Sequence, residues 1–209
     1  MINLVIFDMW NTLTYNRVKL KDEILKVLPL SPDYVQSKLN KLNKGGLSNK
    51  AFFNQLTDSK EIIDDLLIKW EKINKEVMVF EDVNDTLHEL KIDKKLALLS
   101  NSTPNTLDIL KEKNLFNFFD KIYLSCDYGI TKPNIEFFKI IIKDFNLNPR
   151  ECMMIGDKVN EDLTPAKELG IITVLLDRKD DKEKDISDFK VNNLKQILDI
   201  INELTNKFE

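Results

Sequence analysis

The stretch that decides the fold runs from residue 4 to residue 13 and reads LVIFDMWNTL. Its first four residues extend an apolar run that begins at Ile2, and such a run is typical of a parallel strand buried on both faces. Asp8 follows this run directly. We therefore predict Asp8 at the carboxyl end of a buried strand, which is where open α/β sheets bind their ligands. Taken alone, an aspartate there is better explained as a residue that ends the strand and caps the next turn.

Apolar runs of the same kind recur along the chain. Together with residues 2–7 they predict five strands, the others being 95–100, 121–125, 152–155 and 171–176. Amphipathic stretches of helical period occupy residues 103–113, 134–146, 161–169 and 191–206. The first of these helices is predicted to have Thr103 as its N-cap and Pro104 at its first position. Alternating strands and helices predict a Rossmann-like parallel sheet in a three-layer α/β/α sandwich with right-handed crossovers.

The segment between the first two strands differs from the rest. Residues 15–79 contain several helical segments and no convincing strand. A loop of that length would be implausible in a compact domain, so we predict a small all-helical domain over 15–79. The α/β core domain then consists of residues 1–14 and 80–209. The charged run 177–185 is predicted to be a solvated loop.

Composition limits the classes of function. The 209 residues are 43% hydrophobic and carry a net charge of −4, and the lysines alternate with acidic residues. We therefore expect no binding to nucleic acid. We find no signal peptide and no apolar run of membrane-spanning length, so we expect a cytoplasmic protein without membrane contact, either a monomer or a homodimer. Cys126 and Cys152 adjoin apolar runs and are predicted to be buried thiols in a reducing compartment.

Polar residues follow three of the other predicted strands. Ser100 and Asn101 end the second strand, and their hydroxyl and amide donors beside a helix start suit an anionic group, although both are also common turn formers. Lys132 precedes Pro133, which favours an extended backbone there. An ammonium directed at Asp8 would keep that carboxylate ionised, but an exposed loop lysine would match the same sequence.

Two more aspartates follow the strand at 152–155. Asp157 and Asp162, if close to Asp8, would repel it unless a cation neutralised the three carboxylates. Hard oxygen ligands of this kind suit Mg²⁺. For Asp162, capping of a helix N-terminus is an equally good interpretation.

The order of these residues resembles the four motifs of the haloacid dehalogenase-like (HAD) hydrolases. The motifs are Asp8, Ser100-Asn101, Lys132-Pro133 and Gly156-Asp157 with Asp162. The resemblance spans residue 2 to about residue 176. It implies that Asp8 is the nucleophile and Lys132 a catalytic residue that also binds substrate. It further implies that Ser100 holds a substrate oxygen, with Asn101 and Thr12 as additional substrate-binding residues.

The same resemblance implies a Mg²⁺ cofactor and a small phosphorylated substrate. The metal ligands would be Asp8, the backbone carbonyl of Trp10 and Asp157, while Asp162 would coordinate through water or orient Lys132. The helical domain would be a cap that covers the active site and selects substrates. The implied function is that of a Mg²⁺-dependent phosphatase that acts on a small phosphomonoester through an aspartyl-phosphate intermediate.

Trp10 departs from the pattern of most HAD phosphatases, which have an acid–base aspartate at this position. Indole cannot transfer protons in that way, and general acid–base catalysis is worth about 10²–10⁴-fold. Two alternatives therefore stay open: a metal-independent 2-haloacid dehalogenase, or a catalytically weak HAD-fold binding protein. The dehalogenases have Ser and Asn residues where this chain has Gly156-Asp157. They also have an arginine in the cap, and Arg17 is the only arginine in the predicted helical domain of this chain. They have a tyrosine where this chain has Phe138.

His88, the single histidine, lies far in sequence from all four motifs. We predict that it is a surface residue of a helix.

Overall fold

The computed structural model describes residues 1–180 and 186–206. A six-stranded, fully parallel sheet forms its centre, in the order β5-β4-β1-β6-β7-β8. A two-stranded antiparallel ribbon, β2 with β3, lies beside it. The strands are β1 Leu4–Phe7, β2 Thr14–Tyr15, β3 Met78–Val79, β4 Lys95–Ser100, β5 Lys121–Leu124, β6 Cys152–Gly156, β7 Ile172–Leu176 and β8 Phe189–Val191.

Helices connect the strands and cover both faces of the sheet. The α-helices are α1 Leu20–Val27, α2 Pro32–Leu42, α3 Asn49–Phe53, α4 Lys60–Lys75, α5 Val83–Lys91, α6 Thr106–Glu112, α7 Ser125–Tyr128, α8 Ile135–Phe145, α9 Thr164–Glu168 and α10 Gln196–Asn206. Short 3₁₀ turns occupy Phe116–Phe118 and Pro149–Glu151, and a π-helical turn, Val159–Leu163, precedes α9. Over the part of the chain described, every helix is too short or too polar to cross a membrane.

The sheet topology places β1 between β4 and β6. Phe7 at the end of β1 is in register with Leu98 of β4 and Ile155 of β6. The strand order reverses at β1, and such a switch point opens a crevice at the carboxyl ends of the strands. The predicted parallel α/β sandwich is confirmed. Its topology brings the residues that follow β1, β4 and β6 to one edge.

Three apolar clusters hold the structure together. Alternate residues of β1 point to opposite faces, so Val5 and Phe7 join one cluster while Leu4 and Ile6 join another. The third cluster lies within α1–α4, the helical insert. Phe52, Phe53 and Trp70 form its centre, with ring centroids 5.1 to 6.0 Å apart. The insert therefore has an apolar core of its own.

The ends of the helical insert are joined by the β2–β3 ribbon. Tyr15 pairs with Met78 and Thr14 with Val79, so the chain enters and leaves the insert at one place. Our expectation of no strand between residues 15 and 79 was therefore wrong at both limits. Strands of two residues are too short to show an alternating pattern.

The predicted start of one helix and the predicted end of one strand also differ from the structure. The helix expected over 103–113 begins at Thr106 with Asn105 as its N-cap, because i→i+3 bonds from Thr106 and Leu107 make a turn out of the preceding residues. Thr103 and Pro104 therefore do not occupy the predicted capping positions. The strand expected over 121–125 ends at Leu124, since Ser125 begins α7.

The C-terminal region was also predicted in part incorrectly. Val191 ends β8, which pairs with β7, and α10 starts only at Gln196. In the predicted solvated loop 177–185, Asp177 is buried and forms an ion pair with Lys190. Residues 181–185 of that predicted loop lie outside the described residues. His88 is exposed on α5, as predicted, with its ring edge-to-face against Phe118.

Candidate active site

Asp8 and Lys132 form the centre of the site. The Asp8 carboxylate accepts a hydrogen bond from Lys132 Nζ at 2.6 Å and a longer one from the Thr12 hydroxyl at 3.3 Å. Both charged residues are almost fully buried, with 5% and 4% of their surfaces exposed. The two residues are 124 positions apart in sequence. The fold therefore pairs two of the predicted catalytic residues directly.

The ammonium group of Lys132 is held by three acceptors. Besides Asp8, it donates to Asp162 Oδ1 at 2.5 Å and to the carbonyl oxygen of Leu99 at 3.0 Å. An ammonium has three protons, so this set satisfies all of its donors. The other oxygen of Asp162 accepts from the backbone N–H of Lys158 at 3.0 Å. The side chain of Asp162 is thus held by Lys132 and by the backbone of Lys158, the residue before the π-helical turn. Asp162 lies inside that turn, so it is not the N-cap that one of its two interpretations predicted.

Burial and neighbouring charges act in opposite directions on these groups. The pKa of Asp8 is raised to about 7, chiefly by burial and in addition by the nearby Asp162 and Asp157 carboxylates, although Lys132 lowers it. For Lys132, burial lowers the pKa, but Asp162 and Asp8 outweigh that effect and hold it above its ordinary value. The site therefore has more negative charge than Lys132 can neutralise.

The carboxylates fit a divalent cation in number, chemistry and spacing. Asp8, Asp157 and Asp162 each present an oxygen, and these three atoms lie within 4.8 Å of one another. The two oxygens of Asp162 already accept from Lys132 and Lys158, which leaves Asp8 and Asp157 as the better ligands. Oxygen ligands of this kind suit Mg²⁺.

The loop after β1 is a single tight turn. The N–H groups of Leu13 and Thr14 both donate to the carbonyl oxygen of Met9, and Asn11 has a positive φ of 61°. Asparagine tolerates this left-handed conformation better than most residues. The Asn11 amide donates to Asp157 Oδ2 at 3.3 Å, and the Trp10 side chain lines the adjoining cleft. Two of the predicted metal-site residues, Trp10 and Asp157, therefore lie next to the same turn.

The predicted substrate-binding residues after β4 have more partners than we expected. The buried Ser100 hydroxyl shares a 2.5 Å hydrogen bond with the Ser102 hydroxyl. The Asn101 side chain accepts from the backbone N–H of Lys132 at 2.8 Å and donates to its carbonyl oxygen at 3.0 Å. Asn101 therefore positions the backbone of Lys132, and Asn101 also lines the cleft.

Arg178 is a residue of the site that sequence reasoning missed. It follows β7 and donates to the carbonyl oxygen of Thr12 at 2.7 Å. The same guanidinium forms a bidentate pair with Asp82, at 2.9 and 3.0 Å, and stacks on the Phe80 ring. Arg178 thus connects the turn after β1 to the segment that follows β3. The sequence signal that could have indicated it is the position of Arg178 just after a predicted strand.

A cleft of about 620 Å³ separates the helical insert from the edge of the sheet. Its floor includes Trp10, Asn101 and Lys132, and its opposite wall belongs to the insert. That wall is mixed. Its polar residues include Lys19, Gln36, Asn40, Asn43, Lys44 and Asn74, and its apolar residues are Leu20, Leu39, Leu42, Trp70 and Ile73. The cleft is of ligand-binding size and ends at the buried charges.

The chain is similar to known hydrolases in sequence and structure. A family model described as haloacid dehalogenase-like hydrolase matches residues 2–170. A glyceraldehyde 3-phosphate phosphatase of Methanocaldococcus jannaschii is 36% identical over 124 residues, which are 57% of this chain and 54% of that protein. The chain thus spans about half the length of this curated relative.

Two solved structures share the fold over nearly the whole chain. A HAD phosphatase from Thermococcus onnurineus superposes with a TM-score of 0.71 at 22% identity, covering 96% of this chain and 98% of the other. A 2-haloacid dehalogenase from Pseudomonas syringae pv. Tomato DC3000 gives a TM-score of 0.74 at 18% identity, covering 98% and 100%. Phosphatases and dehalogenases therefore both have this fold.

Proposed function

The chain belongs to the haloacid dehalogenase-like hydrolases, and from this membership we propose that it is a Mg²⁺-dependent phosphatase acting on a small phosphomonoester. The proposal rests on the grouping of the buried Asp8 and Lys132 with the partly buried Asp157 beside the cleft. The relative from Methanocaldococcus jannaschii, named for a phosphatase activity, supports it. We further propose that the helical insert is the cap, corresponding to residues 15–79.

Asp8 is the nucleophile in this proposal. One of its carboxylate oxygens forms a bond to phosphorus while the bond between phosphorus and the leaving alcohol oxygen breaks, giving an aspartyl-phosphate. Water then attacks phosphorus while the bond between phosphorus and the Asp8 oxygen breaks, so that inorganic phosphate leaves and the Asp8 carboxylate is restored. The Thr12 hydroxyl, which donates to Asp8, helps to hold the attacking carboxylate in place.

Lys132 and Ser100 act on the charge of the phosphoryl group. The Lys132 ammonium, fixed by three acceptors, favours the ionised form of Asp8 and offsets the negative charge that approaches it. Ser100 and the adjoining loop hold a phosphoryl oxygen. Asn101 contributes by fixing the backbone of Lys132.

Asp8, Asp157 and the Trp10 carbonyl would hold the Mg²⁺ ion, with Asp162 behind them. When bound, the ion neutralises the carboxylates and polarises the phosphoryl oxygens. The leaving alcohol takes its proton from cleft water, because the Trp10 indole is not an acid that can supply it.

The proposal is tested by a panel of sugar phosphates, nucleotides, glyceraldehyde 3-phosphate and p-nitrophenyl phosphate, with Mg²⁺ or with EDTA. We expect Mg²⁺-dependent release of phosphate by the wild type and none by Asp8→Asn. Undiminished turnover in Asp8→Asn would exclude the mechanism. Binding of inorganic phosphate or Mg²⁺ without turnover of any compound would instead favour a binding protein of this fold.

Trp10 favours a second candidate, the metal-independent 2-haloacid dehalogenase. Two other features weigh against it: Arg17 is exposed, and Phe138 is fully buried in the apolar cluster that also contains Leu4 and Ile6. Neither residue lines the cleft. Release of halide from L-2-chloropropionate in EDTA would support the dehalogenase, and its absence under those conditions would eliminate it.

A further inference from the structure

The helical insert touches the core at a short loop that we call the docking loop, Asn43–Gly46, directly after α2. Both of its glycines have positive φ, 81° at Gly45 and 82° at Gly46. Gly45 lies so close to α7 that an added methyl group would overlap the carbonyl oxygen of Cys126. At Gly46 an added methyl group would meet nothing within 4 Å. The close approach of the docking loop to α7 therefore requires glycine at position 45 but not at position 46.

The contact continues through Ser125, the first residue of α7. Its fully buried hydroxyl donates to the carbonyl oxygen of Asn43 at 2.5 Å and accepts from the backbone N–H of Ser102 at 2.9 Å. One side chain thus bridges the docking loop and the segment after β4. The carbonyl oxygen of Ser102, at 3.3 Å, is a second acceptor for the single hydroxyl proton. If the docking loop moved away, the Ser125 hydroxyl would donate its proton to the carbonyl oxygen of Ser102 instead.

Ser102 in turn contacts the residues proposed to bind the phosphoryl group. Its hydroxyl is hydrogen-bonded to the Ser100 hydroxyl at 2.5 Å. Asn101, between the two serines, is bonded to the backbone of Lys132 on both its polar atoms. Ser102 is therefore connected to Ser100 by a hydrogen bond and to the backbone of Lys132 through the adjacent Asn101.

We propose that Ser125 is a positioning residue that couples the seating of the docking loop to the phosphoryl-binding segment 100–102. This inference rests on the proposed phosphatase function. With the loop seated, Ser125 donates to Asn43 and holds the Ser102 N–H, and the segment binds a phosphoryl group tightly. With the loop displaced, the segment loses this arrangement and binds phosphoryl groups more weakly.

The two adjacent glycines provide a matched pair of variants. Gly45→Ala prevents seating, whereas Gly46→Ala carries the same cost of a side chain at positive φ without the overlap. We expect Gly45→Ala to raise both KM and the inhibition constant of inorganic phosphate about tenfold, roughly what the loss of a hydrogen bond in a buried site produces. Gly46→Ala should stay within about twofold of the wild type. Equal values for the two variants would overturn the proposal.

Hydrogen exchange gives a readout that does not depend on turnover. Relative to Gly46→Ala, Gly45→Ala should accelerate exchange in peptides covering 42–46 and also in those covering 100–103. Acceleration confined to 42–46 would refute the coupling, whatever the kinetics. Failure of the wild type to hydrolyse any phosphoester, with both segments accelerated, would refute the phosphatase function and leave the coupling intact.

Substitution of Ser125 tests the bridge itself. We expect Ser125→Ala to raise the inhibition constant of phosphate to the same extent as Gly45→Ala, and the double variant to be no worse than either alone, because both break one connection. Ser125→Thr, which keeps the hydroxyl, should recover most of the phosphate affinity. Additive losses in the double variant would overturn the proposal.

Discussion

Replacement of Asp8 by asparagine should stabilise the metal-free protein at neutral and alkaline pH. Burial and two neighbouring carboxylates raise the pKa of Asp8 from 3.8 to about 7, despite Lys132. The folded protein thus favours the protonated form of Asp8. Ionisation of Asp8 lowers the free energy of unfolding, and the asparagine variant has no carboxyl group to ionise at this position. Its amide oxygen can still accept the hydrogen bond from Lys132.

The magnitude follows from the difference between the two pKa values. Because the folded pKa is the higher one, the stabilising effect of protonation is complete below pH 4 and is lost as the pH rises towards 7. A difference of roughly three pKa units, at about 1.4 kcal/mol each, amounts to about 4 kcal/mol. We therefore expect the advantage of Asp8→Asn to grow from near zero at pH 4 to at most about 4 kcal/mol above pH 7.

Urea unfolding followed by tryptophan fluorescence in EDTA, at pH values from 4 to 8, measures this free energy. Asp58→Asn, which removes an exposed carboxylate, is the control and should show no such trend. Addition of Mg²⁺ should stabilise the wild type at pH 8, by about 2.7 kcal/mol at one hundred times its Kd, and should affect Asp8→Asn much less. An advantage that is independent of pH, or a variant less stable than the wild type at pH 8, would show that Lys132 outweighs burial and would contradict the predicted stabilisation.

Three other substitutions test separate parts of the site. Trp10→Asp should raise the kcat for p-nitrophenyl phosphate, by up to about 10²–10⁴-fold, since it restores an acid–base group; Trp10→Asn should not. Lys132→Met should lower kcat by about 10²–10³-fold or more, and Lys132→Arg should not restore it, because the buried site fits an ammonium. Arg178→Ala should lower the free energy of unfolding by about 3 kcal/mol in urea titrations, since it leaves the buried Asp82 carboxylate without its guanidinium. Neutralising that carboxylate with Asp82→Asn should recover part of the loss.

Strand ends in the sequence were sufficient to predict which residues lie at one edge of the sheet, whereas the catalytic roles of these residues came from the resemblance to a family. Asp8, Ser100 and Asp157 each follow a continuous apolar run, and parallel pairing brings such positions to one edge. The short β8 and α7 were not predictable in the same way. Val191 fits the period of the helix that follows it, and Ser125 extends an apolar strand, so only tertiary pairing decides where each element ends.

Long-range polar contacts could not be predicted from the sequence, for a different reason. Arg178 lies in a run of charged residues, where it looks like any solvated side chain, and its partner Asp82 is 96 positions away. Likewise Asn101 was predicted as a substrate ligand, and its bonds to the backbone of Lys132, 31 positions away, could not be foreseen. Local patterns reveal which residues face the edge of the sheet. They do not reveal which of them bind one another.

The charge balance of the site bears on how Trp10 should be interpreted. A 2-haloacid carries its own carboxylate and would have to approach Asp8 beside Asp157 and Asp162, where the burial of carboxylates already raises the pKa of Asp8. Without a cation, a further negative charge there is unfavourable. A phosphomonoester is also anionic, but the same oxygens that repel it can bind a divalent ion that attracts it. Trp10 removes a proton donor from the cleft without changing these carboxylates. In the proposed phosphatase mechanism, Trp10 therefore implies slower transfer of protons to the leaving group, and it does not by itself imply that Asp8 attacks carbon in place of phosphorus.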